Sequence, residues 1–444
     1  LAGHGAGKGF MPARLTPMHD WHARHQATFV EAGLWYRPQF YRQPGEETWL
    51  DSAKREAKAV RGSVGISDVS SLGKIDIQGA DAATFINRVY SNNWLKLPVG
   101  KARYGLMLRE DGFVMDDGTT ARLGETHYIM TTTTVNAGAV MAHLEYCAEV
   151  LWPELDVHVQ SITDQWAQMA IAGPNARKVL AGVVDDGFDL SNEAFPFMGA
   201  GALTVAGGIP ARLFRISFSG ELAYELAVPA GFGTQVWEAV MAAGRDYAIT
   251  PYGLEALNIL RVEKGHATGA ELDGRTTAAD IGLAAMLNLK KDCIGGSLSQ
   301  RPALTDPQRP RLVGVRCAQR PWERVREPVT ERPQDDGVEA GGNAAHRAAP
   351  RADGAADAKR PQLLAGAHLL EPKGPRNGAT DQGWLASVAY SVELDEWIGL
   401  AFLKGGAERH GEKLIAADYL RGSEIEVEVT APVFVDPQGE RHHA

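Results

Sequence analysis

Apolar positions along the chain switch between two periods. In LGKIDIQG (72–79) they alternate, the period of a half-buried strand, and Gly79 ends the run. Asp81 then stands as an N-cap ahead of Phe85, Ile86 and Val89, which share one helical face. AQMAIAGPNARKVL (167–180) repeats the logic with an apolar strand, a Gly-Pro turn and a helix bearing Val179 and Leu180. These β-α units, near 72–90 and 168–180, predict an α+β body and leave an internal duplication open. Helices are also expected from about 52 to 62 and across Leu254, Leu257, Leu260 and Val262, with Gly265 just past the end of the second. Nearer the C-terminus, WLASVAYS, WIGLAFLK, KLIAADYL and SEIEVEVTAPVFV are short strands at turn-punctuated intervals, which predict a small β-barrel.

Residues 1–50, rich in Gly, Pro, His and aromatics, suit an extended N-terminal arm that wraps a neighbour. His19, His22 and His25 recur every three residues, so a helix turning about 100° per residue spreads them out. They are expected at a surface or interface and not as a closed metal site. Residues 51–305 form the body, expected as two α+β subdomains, while 306–318 and 362–444 supply the barrel. Between them, 319–361 are dominated by Arg, Asp, Ala, Gly and Pro. That composition cannot bury enough apolar surface to offset ordering entropy and reads as a disordered insertion. Its flanks, RLVGVRC and LLAGAHLLEP, both look like strands, which would place the insertion within a hairpin.

At 444 residues the chain has room for about two to three domains and a ligand-sized cleft. With 45 Lys and Arg against 55 Asp and Glu, the net charge is −10, so nucleic acid is not an expected partner. No apolar run approaches the length of a membrane span, and LAGHGAGKGFMPARL lacks the apolar core of a signal peptide. A soluble cytoplasmic protein is expected. Cys147, Cys293 and Cys317 are odd in number and widely spaced, implying neither a disulfide framework nor a zinc knuckle, and no metal is assigned.

Three stretches carry candidate chemistry. RYGLMLREDGFVMDD (103–117) reads as a hairpin turning at Glu110-Asp111-Gly112. Alternation sends Asp116 and Asp117 to opposite faces, so one of them looks into a core or cleft; a turn cap or arginine pairing would also account for the two acids. RISFSGELAYELAVP (215–229) places Glu225 where a strand starts. A carboxylate there can accept two parallel N–H bonds from a planar heterocycle such as a pterin or guanine, or form a cross-strand salt bridge. Arg261, near the end of the helix in 250–283, suits a ligand carboxylate or a structural ion pair.

In order, GISDVSSLGKIDIQG, KARYGLML, GFVMDD, IAGPNA, SFSGELAYE, LRVEKG and PVFVDPQGER resemble the glycine-cleavage T-protein family of folate-dependent aminomethyltransferases, from about Val64 to Pro437. PMHDWH, LRVEKG, KKDCIGG and PVFVDPQGER are similar to the folate-binding C-terminal half of heterotetrameric sarcosine oxidase alpha subunits. The KGCY segment of the related iron-sulfur assembly proteins is absent, since His266 and Ala267 follow Lys264-Gly265. The resemblance implies a three-domain cloverleaf around a folate site. Asp116 matches the family's functional aspartate, although Phe113 replaces the second glycine of its motif. Tyr104 matches the tyrosine of the GKAxY segment, Asn136 the asparagine ending the following strand, and Glu225 the pterin-binding acid. Phe218 stands where tyrosine is usual, keeping a stacking face without the hydroxyl. Arg261 matches the arginine of LRLE, implying a folate-tail contact.

The resemblance further implies tetrahydrofolate as cofactor and a one-carbon donor derived from an N-methyl amino acid such as sarcosine. It implies flavin on a partner oxidase subunit of a hetero-oligomer. No GxGxxG fingerprint occurs, so NAD is not assigned to this chain. With Leu1 at the start, this suggests a truncated or separately encoded half. A free-standing aminomethyltransferase of the glycine cleavage system and a non-catalytic folate-binding scaffold are the alternatives.

Overall fold

The computed structural model describes residues 14–318 and 362–444. Four sheets organise them. Strands Lys101–Leu108, Val114–Gly124, His127–Thr132, Gly73–Gln78 and His158–Ser161 lie in that order in a five-stranded sheet. A six-stranded sheet runs Ala200–Val205, Ile209–Phe214, Ala223–Pro229, Trp166–Ala172, Gly65–Asp68 and Thr250–Pro251. The predicted β-α units are both present, one in each sheet: Gly73–Gln78 leads to the helix Ala82–Val89, and Trp166–Ala172 to the helix Ala176–Ala181. Gly79 ends its strand at φ +136°, where a Cβ would lie 2.1 Å from the Asp156 carbonyl oxygen, so the crossing requires glycine. Asp81 occupies the N-cap position, but its side chain accepts from the Asp156 N–H at 3.0 Å instead of capping the helix.

The C-terminal strands close a six-stranded barrel, as their spacing predicts. The insertion 319–361 lies outside the described residues. Its flanking strands are not hairpin partners, however: Arg311–Cys317 pairs with Glu396–Leu403 and Ser423–Thr430, whereas His368–Leu370 pairs with Asp381–Ser391 and Lys413–Asp418. Closing the barrel separates them, since each completes a different run of antiparallel neighbours. The predicted helices span Trp49–Gly62, with a Thr48/Asp51 capping box, and Leu254–Lys264, ended by Gly265 in the left-handed conformation.

The arm from Arg14 contributes a three-stranded sheet and the helix His19–Arg24. Met18 and Trp21 pack in the core cluster of the six-stranded sheet with Tyr41 and Trp237. The surface reading therefore fails for His22, which is wholly buried. Its Nε2 lies 3.0 Å from Asp68 Oδ2 and its Nδ1 2.9 Å from the Tyr41 hydroxyl. A three-residue spacing on so short a helix lets one histidine point inward, and Asp68 supplies the partner that makes burial tolerable. Burial alone would raise the Asp68 pKa, but the bond and charge of His22, with the Ser70 bond, draw it down to about 2.

The units meet on one buried charge cluster. Arg61, at the end of its helix, donates to Glu263 Oε2 (2.6 Å), Glu221 Oε1 (2.7 Å) and the carbonyls of Ser219 (3.0 Å) and Leu260 (3.2 Å). Glu263 Oε1 accepts from the Ser391 hydroxyl (2.6 Å) and the Val392 N–H (2.9 Å) beside the barrel. Removing one partner strands the other charge. Glu263→Gln is expected to cost about 3–5 kcal/mol in urea unfolding, and a loss below about 1 kcal/mol would show that the cluster does not hold the units together.

Candidate functional site

The hairpin register pairs Leu106 with Asp117 and Met107 with Asp116, so the two acids do face opposite ways. The sheet is covered on both sides: Asp116 is buried, and Asp117 is half-buried with its Oδ1 withdrawn from water. On the Asp117 side, Tyr104 and Leu106 pack with Leu272, Ile281 and Phe402 of the barrel. On the Asp116 side, Met107 packs with Tyr90, Trp94 and Met130.

Their hydrogen bonds differ. Asp116 Oδ1 accepts from the Thr133 hydroxyl (2.7 Å) and Asn136 Nδ2 (3.1 Å), and Oδ2 from the Thr133 N–H (3.2 Å). Asp117 Oδ2 accepts from the Tyr104 hydroxyl at 2.8 Å, while its buried Oδ1 has no partner among the described residues. Burial raises the pKa of both. For Asp116 the donors oppose the rise, whereas Asp117, further disfavoured by its neighbour's charge, reaches about 7. Burial and the Asp117 charge also raise the Tyr104 pKa, keeping the phenol a donor.

Glu225 is buried on the six-stranded sheet, where Gln168 of the adjacent strand donates to its Oε2. Burial pushes its pKa up to about 7 against the pull of Gln168 and the Lys74 ammonium. Gln168 is fixed in turn: its N–H donates to Ser70 Oγ (3.0 Å), and the Ser70 N–H donates to Asp68 Oδ1 (2.9 Å). Glu225 makes no salt bridge among the described residues, and its carboxylate bonds to the Gln168 side chain.

Phe218 is 37% exposed, and its ring centroid lies 5.6 Å from that of His266. His266 Nδ1 sits 2.9 Å from the Phe218 carbonyl, and burial among Lys264, Arg261 and Arg61 lowers its pKa, so the ring is neutral near pH 7. Arg261 is engaged throughout: Nε reaches Asn258 Oδ1 (2.9 Å), one terminal nitrogen Glu271 Oε2 (3.0 Å) and the His266 carbonyl (3.2 Å), and the other Ser387 Oγ (2.6 Å).

The structure thus joins Asp116 to Asn136, and Phe218 through His266 to Arg261. It places Tyr104 on Asp117. That contact was not legible: with the turn at 110–112 plain alternation pairs residue 104 with 118, and only the bulge at Met107/Leu108 brings 104 and 117 to one face. Gln168, Lys74 and Thr133 were missed, because only strand pairing between distant segments brings them to the acids. Among the described residues no group of His, Cys, Asp and Glu could hold a metal ion, and no helix is long and apolar enough to cross a membrane.

Residues 18–291 match the GCVT N-terminal domain family, and residues 356–436 match the glycine cleavage T-protein C-terminal barrel domain. The chain is 47% identical over 445 residues to the sarcosine oxidase subunit alpha of Rhizobium meliloti, covering 100% of this chain and 41% of that protein. The subunit alpha of Corynebacterium sp. strain P-1 is 41% identical over 99% of this chain and 42% of its own length. The chain therefore spans about two-fifths of these relatives. An aminomethyltransferase of Corynebacterium aurimucosum is 32% identical over 66% of this chain and 76% of its own. The crystal structure of glycine cleavage system aminomethyltransferase T from Bartonella henselae has the same fold, with a TM-score of 0.74 at 21% identity over 96% of this chain and 98% of that one.

Glu225 and Asp117 set a pH dependence. A carboxyl whose folded pKa is raised contributes stability that is fully present below its unfolded pKa and lost as pH rises through the folded value. Because both carboxyls are raised from the ordinary carboxylate range to about 7, ionising these groups should weaken the ligand-free protein. In thermal melts between pH 5 and pH 8, the Tm advantage of Glu225→Gln and Asp117→Asn over the parent is expected to grow with pH. Curves that stay parallel would show that neither acid is raised.

Proposed function

The chain belongs to the glycine cleavage T-protein family, and on that premise we propose that it binds tetrahydrofolate and captures a one-carbon unit to form 5,10-methylenetetrahydrofolate. One observation carries this reading. Two carboxyl centres on different sheets are both buried, and each has only part of its hydrogen-bonding capacity used by the protein. Glu225, steadied by Gln168, suits the amide N–H and amino group on the edge of a pterin. Tetrahydrofolate as substrate supplies the two amines, N5 and N10, that close on one carbon.

The acid pair supplies the proton chemistry. Formaldehyde, or an imine derived from an oxidised N-methyl amino acid such as sarcosine, is the electrophile. With formaldehyde, N5 bonds to the carbon and the oxygen becomes a hydroxyl. Asp117, poised near neutrality, gives its proton to the departing hydroxyl, which leaves as water, and takes one back from N10 as the ring closes. Asp116, on the opposite face of the strand with Thr133 and Asn136 as donors, acts on the positive charge that develops in between through its field and not by contact. Holding the two reactants in register contributes alongside the acid and base. The hydrogen-bond saturation of Asp116 also suits a purely supporting role, as in a non-catalytic folate-binding scaffold.

On this reading the donor is oxidised at a flavin on a partner subunit of a sarcosine oxidase-type complex, a proposal that rests on the names of the subunit-alpha relatives. Co-purification with flavin-bearing subunits supports that assembly. A lipoyl carrier as the donor would support the free-standing aminomethyltransferase instead.

Asp116→Ala and Asp117→Asn are expected to retain tetrahydrofolate binding by calorimetry. Their rate of formaldehyde capture should fall by about 10²–10⁴-fold. Unchanged product formation in both variants would overturn the catalytic role and leave the scaffold.

A further inference from the structure

Lys74 lies second in the strand Gly73–Gln78 of the five-stranded sheet and is 2% exposed. Its ammonium donates to the carbonyls of Ser70 (2.7 Å) and Leu72 (3.0 Å), which uses two of its three N–H bonds. Ser70 also anchors Gln168, whose backbone N–H donates to Ser70 Oγ at 3.0 Å, and Gln168 carries Glu225. Ser70 therefore fixes the ammonium through its carbonyl and the acid's partner through its hydroxyl. Lys74 and Glu225 feel each other's charge, yet they form no ion pair among the described residues. Burial draws the Lys74 pKa down to about 8, so the group is cationic at pH 7. A buried ammonium with an unused donor is unfavourable unless an acceptor arrives.

We propose that Lys74 is a specificity residue of the Glu225 site, donating its remaining N–H to the ring carbonyl beside the amide N–H that Glu225 accepts. This rests on the folate reading and sharpens it. In a pterin the carbonyl at C4 adjoins N3–H, so carboxylate and ammonium together read donor, donor, acceptor along one edge. A 4-amino ring presents a donor to Lys74 where the 4-oxo ring presents an acceptor, and the site rejects it.

The test crosses two ligands with the full chain and its variants by calorimetry, using tetrahydrofolate and its 4-amino-4-deoxy analogue. The 4-amino ring also changes the contact to Glu225, but that change is common to the parent and the Lys74 variants and cancels in the comparison. Lys74→Met is expected to reduce the preference for tetrahydrofolate by about 10- to 100-fold, the worth of a charged hydrogen bond. Lys74→Gln, which retains an N–H donor, should restore part of it. If Lys74→Met weakens both ligands by one factor, or neither, Lys74 does not touch the ring and the proposal falls. Glu225→Gln separates this from failure of the folate reading: tetrahydrofolate binding unchanged in that variant would sink the reading itself. A Met variant that does not fold is recognised by its near-UV dichroism, and Lys74→Gln then carries the test: a reduced preference for tetrahydrofolate supports the contact, and equal weakening of both ligands, or of neither, overturns it.

Discussion

Arg61 and Glu263 are the interaction on which the arrangement of units depends. Neither charge is solvated, with side chains 5% and 0% exposed, so each must be satisfied by protein. The partners come from separate parts of the chain: Glu221 from the loop before Glu225, Leu260 from the second long helix, and Ser391 and Val392 from beside the barrel. The Glu263 carbonyl adds the N–H groups of Phe434 and Val435, both at 2.9 Å. Apolar packing alone tolerates sliding, because it is non-directional. A buried guanidinium with five directed donors does not, and the loops around the candidate site inherit that registry.

A second polar chain runs from the arm to Glu225. Tyr41 meets His22, His22 meets Asp68, Asp68 accepts from Ser70, and Ser70 holds Gln168 beside Glu225. Every link is buried, where an unmade hydrogen bond costs about 1–3 kcal/mol, so each restrains the next. Arg37 adds a bond to the Asp68 carbonyl at 3.0 Å. The arm is thus continuous with the scaffold of the Glu225 site, and its burial follows from the need to satisfy Asp68.

Local periodicity made much of this legible. The strand at 73–78, the helix after it, the Gly265 cap and the four barrel strands all follow from patterns within about ten residues. Asp116, Asp117 and Glu225 stood out because acids amid apolar runs are costly without a role. What stayed hidden depends on distant pairing. His22 looked like a surface histidine because Asp68 lies 46 residues away. Lys74 looked like the polar position of an alternating strand because the turn that folds the Ser70 and Leu72 carbonyls onto its ammonium leaves no mark in the period. The insertion's flanks were strands, as expected, but barrel closure and not proximity in sequence chose their partners.

The acid pair shows how backbone geometry gives two identical side chains different chemistry. Adjacent residues on a strand point to opposite faces, so Asp116 and Asp117 cannot share one set of donors. Both are desolvated, and ionising both at such short separation is unfavourable. The surroundings then decide which keeps its charge. Asp116 meets three donor contacts from Thr133 and Asn136, whereas Asp117 meets only the Tyr104 hydroxyl. Burial and the neighbouring charge bring Asp117 to about 7, whereas the donors around Asp116 oppose its rise. Pairs whose environments push their pKa values apart are how a protein assigns acid and base roles near neutral pH. Here that division follows from the hairpin register that sets Tyr104 and Asp117 on one face, with no difference between the two side chains themselves.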